Sequence, residues 1–489
     1  MKNQPDFIKE MDRLAEKWDI SALIRMEDGE GPIAEKAYGF ADAGKQRPLR
    51  FSDRFCLSAH DLFFLALCFL HLFQQGKLRL SDKISEFIPE YPEGKRITIA
   101  QLLRMESGIP DELYQVRMPA LQQDPHHAAL SDEEKYRREY EEKARDAAFS
   151  DVYRHVAGLP LIHTPGQEED GNVTAVWFLA EILRRHQGMT PLEYLMERIF
   201  APLSLADTRP GNDATVDLFA CMGETTLVSV PNLAPAHAFT TTLSDMHKLA
   251  RALAEGRLLS RRVLQLALRV KRDYNGLGFC RMGEIYHADV FPGMLGNWLR
   301  IYFNFDEKMS WVILCNRDFT MRREPQTGWC AFPMELRRFW QYTRAYPDQP
   351  ELVKITGKNV WDAMGVEITQ AQYSYVPDAK TCVAVSLARR HPVYMLKDHG
   401  LAVGIIALTI NEKKKEYHVD FLQVDHRLQG RGYGRILLAH GIDILKAAGA
   451  KKLEIGVNRF NTPAQRLYLN VGFKLERIYE DFMELKMEL

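Results

Sequence analysis

What this chain has little of narrows it first. Its seven cysteines are an odd number and contain no C-x-x-C pair, which excludes a disulfide scaffold and the common paired-thiolate metal sites. No stretch approaches the ~18 consecutive apolar residues that a membrane-crossing helix needs. The most apolar run, Leu62 to Phe73, is short and reads as a buried helix. Charge of neither sign dominates, with 64 Lys and Arg against 65 Asp and Glu, so neither nucleic acid nor an acidic surface is expected as a partner. The opening twenty residues scatter charges through the segment and have no apolar core, unlike a signal peptide. Internal repeats and low-complexity tracts are lacking too. These absences point to a cytoplasmic globular protein with no membrane partner and no metal site.

What is present centres on a glycine-rich turn, Gln429-Gly430-Arg431-Gly432-Tyr433-Gly434. The segment before it, His418 to Val424, reads as a buried strand. The segment after it, Arg435 to Ala448, reads as an amphipathic helix with Ile436, Leu437, Ile442 and Leu445 on its apolar face. Such a turn points unpaired backbone N–H groups outward at the positive end of a helix dipole, and its glycines have no Cβ to block a close approach. It can cradle a pyrophosphate. A Walker loop is excluded because no Gly-Lys-Ser/Thr ends it, and a dinucleotide fingerprint lacks its acidic residue: Asp443 is too near and Glu454 lies inside the next strand.

The Q-x-x-G-x-G spacing of Gln429, Gly432 and Gly434 resembles motif A of the GNAT acetyltransferases. Downstream, Lys452 to Val457 alternates as a strand, and Asn461 precedes Pro463 as a good N-cap before a helix. The order Asn461, Ala464, Tyr468, Gly472-Phe473 is similar to motif B of the same family. Back to about Glu351, the segments Gln370–Leu387, Pro392–Leu396 and Val403–Ile406 look like its early elements. The pattern at Gln370, Val376 and Pro377 is similar, more loosely, to the polyamine-acetylating branch. The resemblance implies a mixed central sheet and acetyl-CoA as cosubstrate. It assigns cofactor contacts to Leu422, Val424, Gln429, Gly430, Arg431, Gly432, Tyr433, Gly434, Arg435, Asn461 and Ala464, and a general-acid role to Tyr468. A thioester is already activated, so alignment of an amine carries much of the catalysis, with a backbone N–H near Val424 for the oxyanion. A base would help the amine lose its proton. Asp420 is the first candidate, with His418 and His426 behind it.

A GNAT domain accounts for roughly 140 residues, which leaves room for a larger domain before it. The polar stretch Tyr342 to Pro350, with two prolines, marks the expected boundary, dividing the chain into 1–345 and 346–489. Ala37–Asp42, Gly76–Ile84, Ile97–Leu103 with Ser107–Pro110, Pro165-Gly166, Pro202–Thr208, Thr242–Asp245 and Asn275–Phe279 resemble, in order, the serine β-lactamase and penicillin-binding-protein superfamily. That resemblance implies an antiparallel sheet flanked by helices plus a helical subdomain, so the fold class expected of the whole is two-domain α/β (α+β).

The chemistry of that superfamily is not matched. It needs an S-x-x-K pair at the start of the buried helix; by family spacing those positions hold Ala59 and Leu62. A shift of one brings in Ser58, with Asp61 as its partner. The Y-x-N positions hold Gly171 and Val173, or Asp170 and Asn172 in the shifted register, and the third element survives only as His287-Ala288-Asp289. The expectation is therefore a catalytically degenerate domain serving as a substrate-binding or structural module, with His60, Asp61, Asp170, Asn172 and His287 as a polar lining. The expected function is acetyl-CoA-dependent N-acetylation of a small-molecule or peptidic amine, with a homo-oligomer possible. Two alternatives stand beside it: a hydrolase using an unrecognised nucleophile such as Ser58, and a non-catalytic acetyl-CoA sensor.

Overall fold

A computed structural model describes residues 4–489 apart from 43, 45, 144, 146, 223–225, 231–234, 270–275, 283–284, 291–297, 306–307, 318–330, 345–346, 349 and 358. The chain forms two compact units, one of Met11–Phe332 and one of Pro333–Leu489 together with Met1–Glu10.

In the larger unit a six-stranded sheet runs in the order Gly31–Tyr38, Ala22–Asp28, Met309–Cys315, Trp298–Asn304, Ile285–Val290, Cys280–Met282. Every pairing in it is antiparallel. The strands Trp298–Asn304 and Met309–Cys315 are buried at every residue, as expected of central strands covered on both faces. The helix Leu62–Gln74 is apolar all round, with Phe63 to Leu70 and Leu72 buried, and a helix of that pattern belongs in a core. It is continuous with one large cluster that includes Phe178, Leu179 and Ile182 of the helix Val173–Gln187 and Leu249 and Leu253 of the helix Leu243–Ala254. Shorter helices between Ile99 and Val156 form the helical subdomain.

The smaller unit is built on a seven-stranded sheet in the order Glu351–Lys354, Val393–Asp398, Leu401–Asn411, Glu416–Val424, Lys452–Asn458, Phe482–Glu488, Lys474–Ile478. All of its pairings are antiparallel except that of Glu416–Val424 with Lys452–Asn458, which is parallel. The sheet is therefore mixed. The helix Tyr433–Ala447 packs one face in a cluster that also holds Val424, Val457 and Tyr468. The helix Ala379–Ala388 packs the other, in a cluster with Val393, Met395 and Ala407.

This grouping starts the smaller unit earlier than the division expected at 345/346, because Tyr342 on the helix Ala331–Arg344 is buried in that unit's core. Its hydroxyl donates to Asp425 at 3.0 Å. The polar composition of 342–350 hides that anchor.

Candidate functional site

The parallel pair in the smaller unit meets at only one register position, His418 opposite Glu454. Beyond it the two strands separate, and Leu422 and Val424 lie on the open side. Their orientation follows from the neighbour: Asp425 N–H donates to Val403 O at 3.0 Å, and strand alternation then turns the N–H groups of Val424 and Leu422 away from that neighbour, toward the gap. At the end of the gap the chain enters the glycine turn. Gly430 has φ +79 and Gly432 φ +94, left-handed values that favour glycine. Gly432 is also the N-cap, with no side chain to close the helix end, so the first helical N–H groups, of Tyr433 and Gly434, have no carbonyl behind them. A Cβ at Gly434 would sit 3.3 Å from Leu467 Cδ2. Glycine here allows the next helix to approach.

The side chains of the turn are committed to holding it. Gln429 Nε2 donates to Val424 O at 2.9 Å, and Gln372 donates to Gln429 at 3.2 Å. Arg431 donates to Tyr342 O at 2.9 Å. Tyr433 is buried, with its hydroxyl donating to Asp398 at 2.5 Å, and burial followed by that carboxylate raises its pKa. Only the backbone of Tyr433 is available to a ligand. Arg435 is exposed. Asn461 caps the helix Thr462–Val471 by accepting from Ala464 N–H at 3.3 Å, and Ala464 packs against the core.

A cluster with no sequence signal anchors the end of the strand. Burial works to raise the Asp425 carboxyl, but hydrogen bonds from Arg427 and the Glu367 N–H outweigh it and hold the group below its usual range. Arg427 Nε donates to Asp425 at 2.8 Å, and its guanidinium lies 3.9 Å from the Tyr342 ring centre.

Tyr468, on the helix Thr462–Val471, is buried. Burial pushes its pKa up to about 12, so it keeps its proton at neutral pH. Among the described residues its hydroxyl has no protein hydrogen-bond partner. Asp420 accepts from Thr409 Oγ1 at 2.8 Å and lies 2.9 Å from His391 Nδ1. The structure does not bring His418 or His426 to Asp420. His418 lies 4.0 Å from Glu454, and His426 is exposed with its N–H bonded to Glu367 O. His391 was missed in the sequence because it is distant in the chain and belongs to no motif.

In the larger unit the strand Phe55–Ser58 runs into the helix Leu62–Gln74. Ala59 is fully buried between them, and Leu62 opens the helix. Ser58 is buried; its Oγ accepts from the His60 N–H at 3.0 Å and lies 3.0 Å from His237 Nδ1. Asp61 is buried, and loss of solvent raises its pKa well above the carboxylate range. Asp170 accepts from the Gly108 N–H at 2.7 Å. Asn172 caps the helix Val173–Gln187 through Thr174 N–H at 2.7 Å. The backbone of His287 pairs with Tyr302, while its side chain, that of Asp289, and Asn275 lie outside the described residues. The rings of His60 and His237 stack at 4.2 Å, and Trp177 meets His60 edge-on at 4.9 Å. These three, with Phe149, Glu181 and Leu192, line a cavity of about 240 Å³. Burial, then the neighbouring His237, holds the His60 imidazole neutral. Among the described residues no cluster of His, Cys, Asp and Glu is arranged for a metal, and no helix is long and apolar enough to cross a membrane.

An antiparallel sheet with a buried helix behind it, joined to a mixed sheet that opens beside a glycine turn, defines a two-domain α/β protein. The profile of the family described as Beta-lactamase matches residues 14–400, and that of the Acetyltransferase (GNAT) family matches 361–473. The chain belongs to the beta-lactamase family and carries a GNAT acetyltransferase domain at its C-terminal end. Protein flp of Staphylococcus aureus (strain COL) is 24% identical over 178 residues, 35% of this chain and 31% of the relative. Penicillin-binding protein 4* of Bacillus subtilis (strain 168) is 24% identical over 199 residues, 41% of this chain and 40% of the relative. The chain thus spans less than half the length of either. The crystal structure of a penicillin-binding protein from Bacillus halodurans matches with TM-score 0.50 and 19% identity, covering 63% of this chain and 95% of that one. It shares the fold.

Proposed function

We propose that this protein is an acetyl-CoA-dependent N-acetyltransferase for a small-molecule or peptidic amine. The observation that carries the reading is the gap between Glu416–Val424 and Lys452–Asn458, opening onto the left-handed glycines Gly430 and Gly432. The N–H groups of Gly430, Gly432, Tyr433 and Gly434, with exposed Arg435, would hold the pyrophosphate, while that of Arg431 bonds Leu428 O within the turn. The backbone of Leu422 and Val424 would pair with the pantetheine arm as a missing strand would. Acetyl-CoA supplies an acyl group already activated as a thioester. Tyr468, protonated and without a protein partner, would give its proton to the departing thiolate.

The test is calorimetric titration with CoA, followed by mass-spectrometric detection of acetyl transfer from labelled acetyl-CoA to a panel of polyamines, amino-acid amides and dipeptides. Micromolar CoA binding with transfer to at least one amine supports the reading. CoA binding without transfer to any amine would favour a sensor, and no CoA binding would remove the acetyl-CoA assignment.

For the larger unit we propose a binding module without acyl-enzyme chemistry. Ala59 and Leu62 offer neither nucleophile nor base, whereas the cavity beside His60 has aromatic walls with Glu181 and Arg184 on its lining, a mix of apolar surface and a few polar groups that suits a small ligand. A small amide bound there should quench or shift Trp177 fluorescence, and Trp177→Phe should abolish that change. An unaltered signal at millimolar amide would leave the unit with a structural role.

A further inference from the structure

We propose that His391, oriented by Asp420, is the base that takes the proton from the attacking amine; this rests on the acetyltransferase reading above. The strand Glu416–Val424 carries a break in its register. Its pairing with Leu401–Asn411 runs Ala407 opposite Phe421, then Leu408 opposite Val419, so Asp420 is the extra residue of a β-bulge. A bulge sets two successive side chains toward one face of the sheet. Phe421 packs with Val393, Met395 and Ala407 on the face of the helix Ala379–Ala388. Val419 and Leu422 pack on the opposite face, in the cluster that contains Tyr468. Asp420 and Tyr468 therefore flank the sheet from opposite sides.

The bulge also falls where the sheet opens. The last parallel pair is His418 with Glu454, and Asp420 is two residues into the gap. From Val424 at the glycine turn back to Asp420 is four residues, about 13 Å of strand. That is a run comparable to a pantetheine arm, so an acyl group entering from the turn ends beside the bulge. An amine approaching from the Asp420 face and a thiolate leaving toward Tyr468 then use the two sides of one opening.

Asp420 itself is poorly placed to act as the base. Its two oxygens accept from Thr409 Oγ1 at 2.8 and 2.9 Å, and its Oδ2 lies 2.9 Å from His391 Nδ1. A carboxylate only accepts, so the neutral ring carries its proton on Nδ1 and leaves the lone pair on Nε2. The main chain that carries the ring is fixed by its own segment, since the backbone N–H of His391 donates to Ser386 O at 2.9 Å. The His391 side chain remains 28% exposed, enough for an acceptor to reach. Titratable and charged groups around it are Asp420 on the neighbouring strand, His418 of that strand, which pairs with Thr409 and lies 4.0 Å from Glu454, and the exposed Arg389 and Arg390 just before it in the chain; Thr409 contributes a hydroxyl.

The step balances. The amine nitrogen bonds to the acyl carbon and loses a proton to His391 Nε2. The C–S bond breaks, and the thiolate takes the Tyr468 hydroxyl proton. Amide and free thiol leave, and one proton passes through solvent from His391 back to Tyr468.

The experiment uses the full chain, acetyl-CoA and spermidine, or whichever amine of the panel supports transfer, with thiol release followed against pH. His391→Gln should lower kcat by ~10²–10⁴-fold and leave CoA affinity by calorimetry unchanged. The acid limb of the wild-type kcat/KM profile should disappear in that variant. Asp420→Asn should lower kcat by less and shift that limb, and added imidazole should restore part of the rate to His391→Ala. A His391→Gln rate within twofold of wild type, with the same acid limb, overturns the assignment while transfer itself stands. CoA binding without transfer to any amine overturns the acetyltransferase reading and this one with it.

Discussion

Two strand-to-helix turns in this molecule begin alike and end differently. In the larger unit Phe55–Ser58 leads into the helix Leu62–Gln74; in the smaller, Glu416–Val424 leads into Tyr433–Ala447. The first turn is filled by the protein's own buried side chains: Ser58, held by His60 N–H and beside His237, and Asp61 at the N-cap. The second places left-handed glycines at the helix end and sends its side chains elsewhere, Gln429 to Val424 O and Tyr433 to Asp398. A helix start offers the same N–H groups in both cases. A ligand could reach those groups only where the chain's own side chains do not cover them.

That contrast can be broken most sharply at Tyr468. Tyr468→Phe should cut turnover by ~10²–10⁴-fold, because the role proposed for the hydroxyl is to protonate the departing thiolate, with CoA affinity unchanged by calorimetry. A rate within twofold of wild type would remove Tyr468 from the chemistry. Next in size is the glycine turn. Gly432→Val forces a branched residue to φ +94, a region that costs L-residues roughly 1–2 kcal/mol, and puts methyls where the pyrophosphate would lie. CoA affinity should fall at least tenfold, about 1.4 kcal/mol. Equal titration curves for variant and wild type would refute the cradle.

In the other turn the expected effect is on stability and has the opposite sense. Burial raises Asp61 well above the usual carboxylate range, against a weaker backbone hydrogen bond from Ser58. The folded state therefore holds that proton more tightly than the unfolded chain. Its stabilising contribution is complete below the unfolded value and is lost as pH rises toward the folded one. Asp61→Asn should be the more stable protein at about pH 8, by ~1–3 kcal/mol, with the difference vanishing near pH 3. Thermal melts with no pH-dependent difference would show that Asp61 reaches solvent. Smaller still is Asn172→Ala, which removes a helix cap worth about 1 kcal/mol and should lower the melting temperature by a few degrees while leaving acetyl transfer intact. A large loss of transfer would show that Asn172 does more than cap. Smallest is the absence of any effect: a fluorophosphonate or β-lactam probe should leave the intact mass unchanged. A covalent adduct at Ser58 would make the two turns functional equals.

Much of the smaller unit was legible from local pattern. The alternation of His418–Val424 and Lys452–Val457, the glycines between strand and helix, and Asn461 ahead of Pro463 each report on conformations set within a few residues, so their elements could be read in order. The apolar run at Leu62–Phe73 likewise announced a buried helix. Family spacing alone picked out Ala59 and Leu62 at the nucleophile and base positions. Asp420 stood out as the carboxylate in a segment read as a buried strand, His418–Val424.

Only the tertiary structure decided which groups meet. The single parallel pair at His418 and Glu454, and hence the gap, depends on strands joined through an intervening helix. The bulge that turns Asp420 toward His391 arises from register with a neighbouring strand, which no run of residues along one strand encodes. Tyr342, in a segment whose prolines and polar residues read as a linker, is buried against Asp425 and Arg427 because their charge and hydrogen bonds need a partner there. Asp170 and Asn172, candidates for a polar lining by position, instead satisfy the backbone N–H groups of Gly108 and Thr174, since a buried donor left unpaired is costly. Sequence determined the conformations that neighbouring residues impose on one another. Packing decided the roles of side chains that meet across long stretches of chain, because those depend on contacts that exist only after folding.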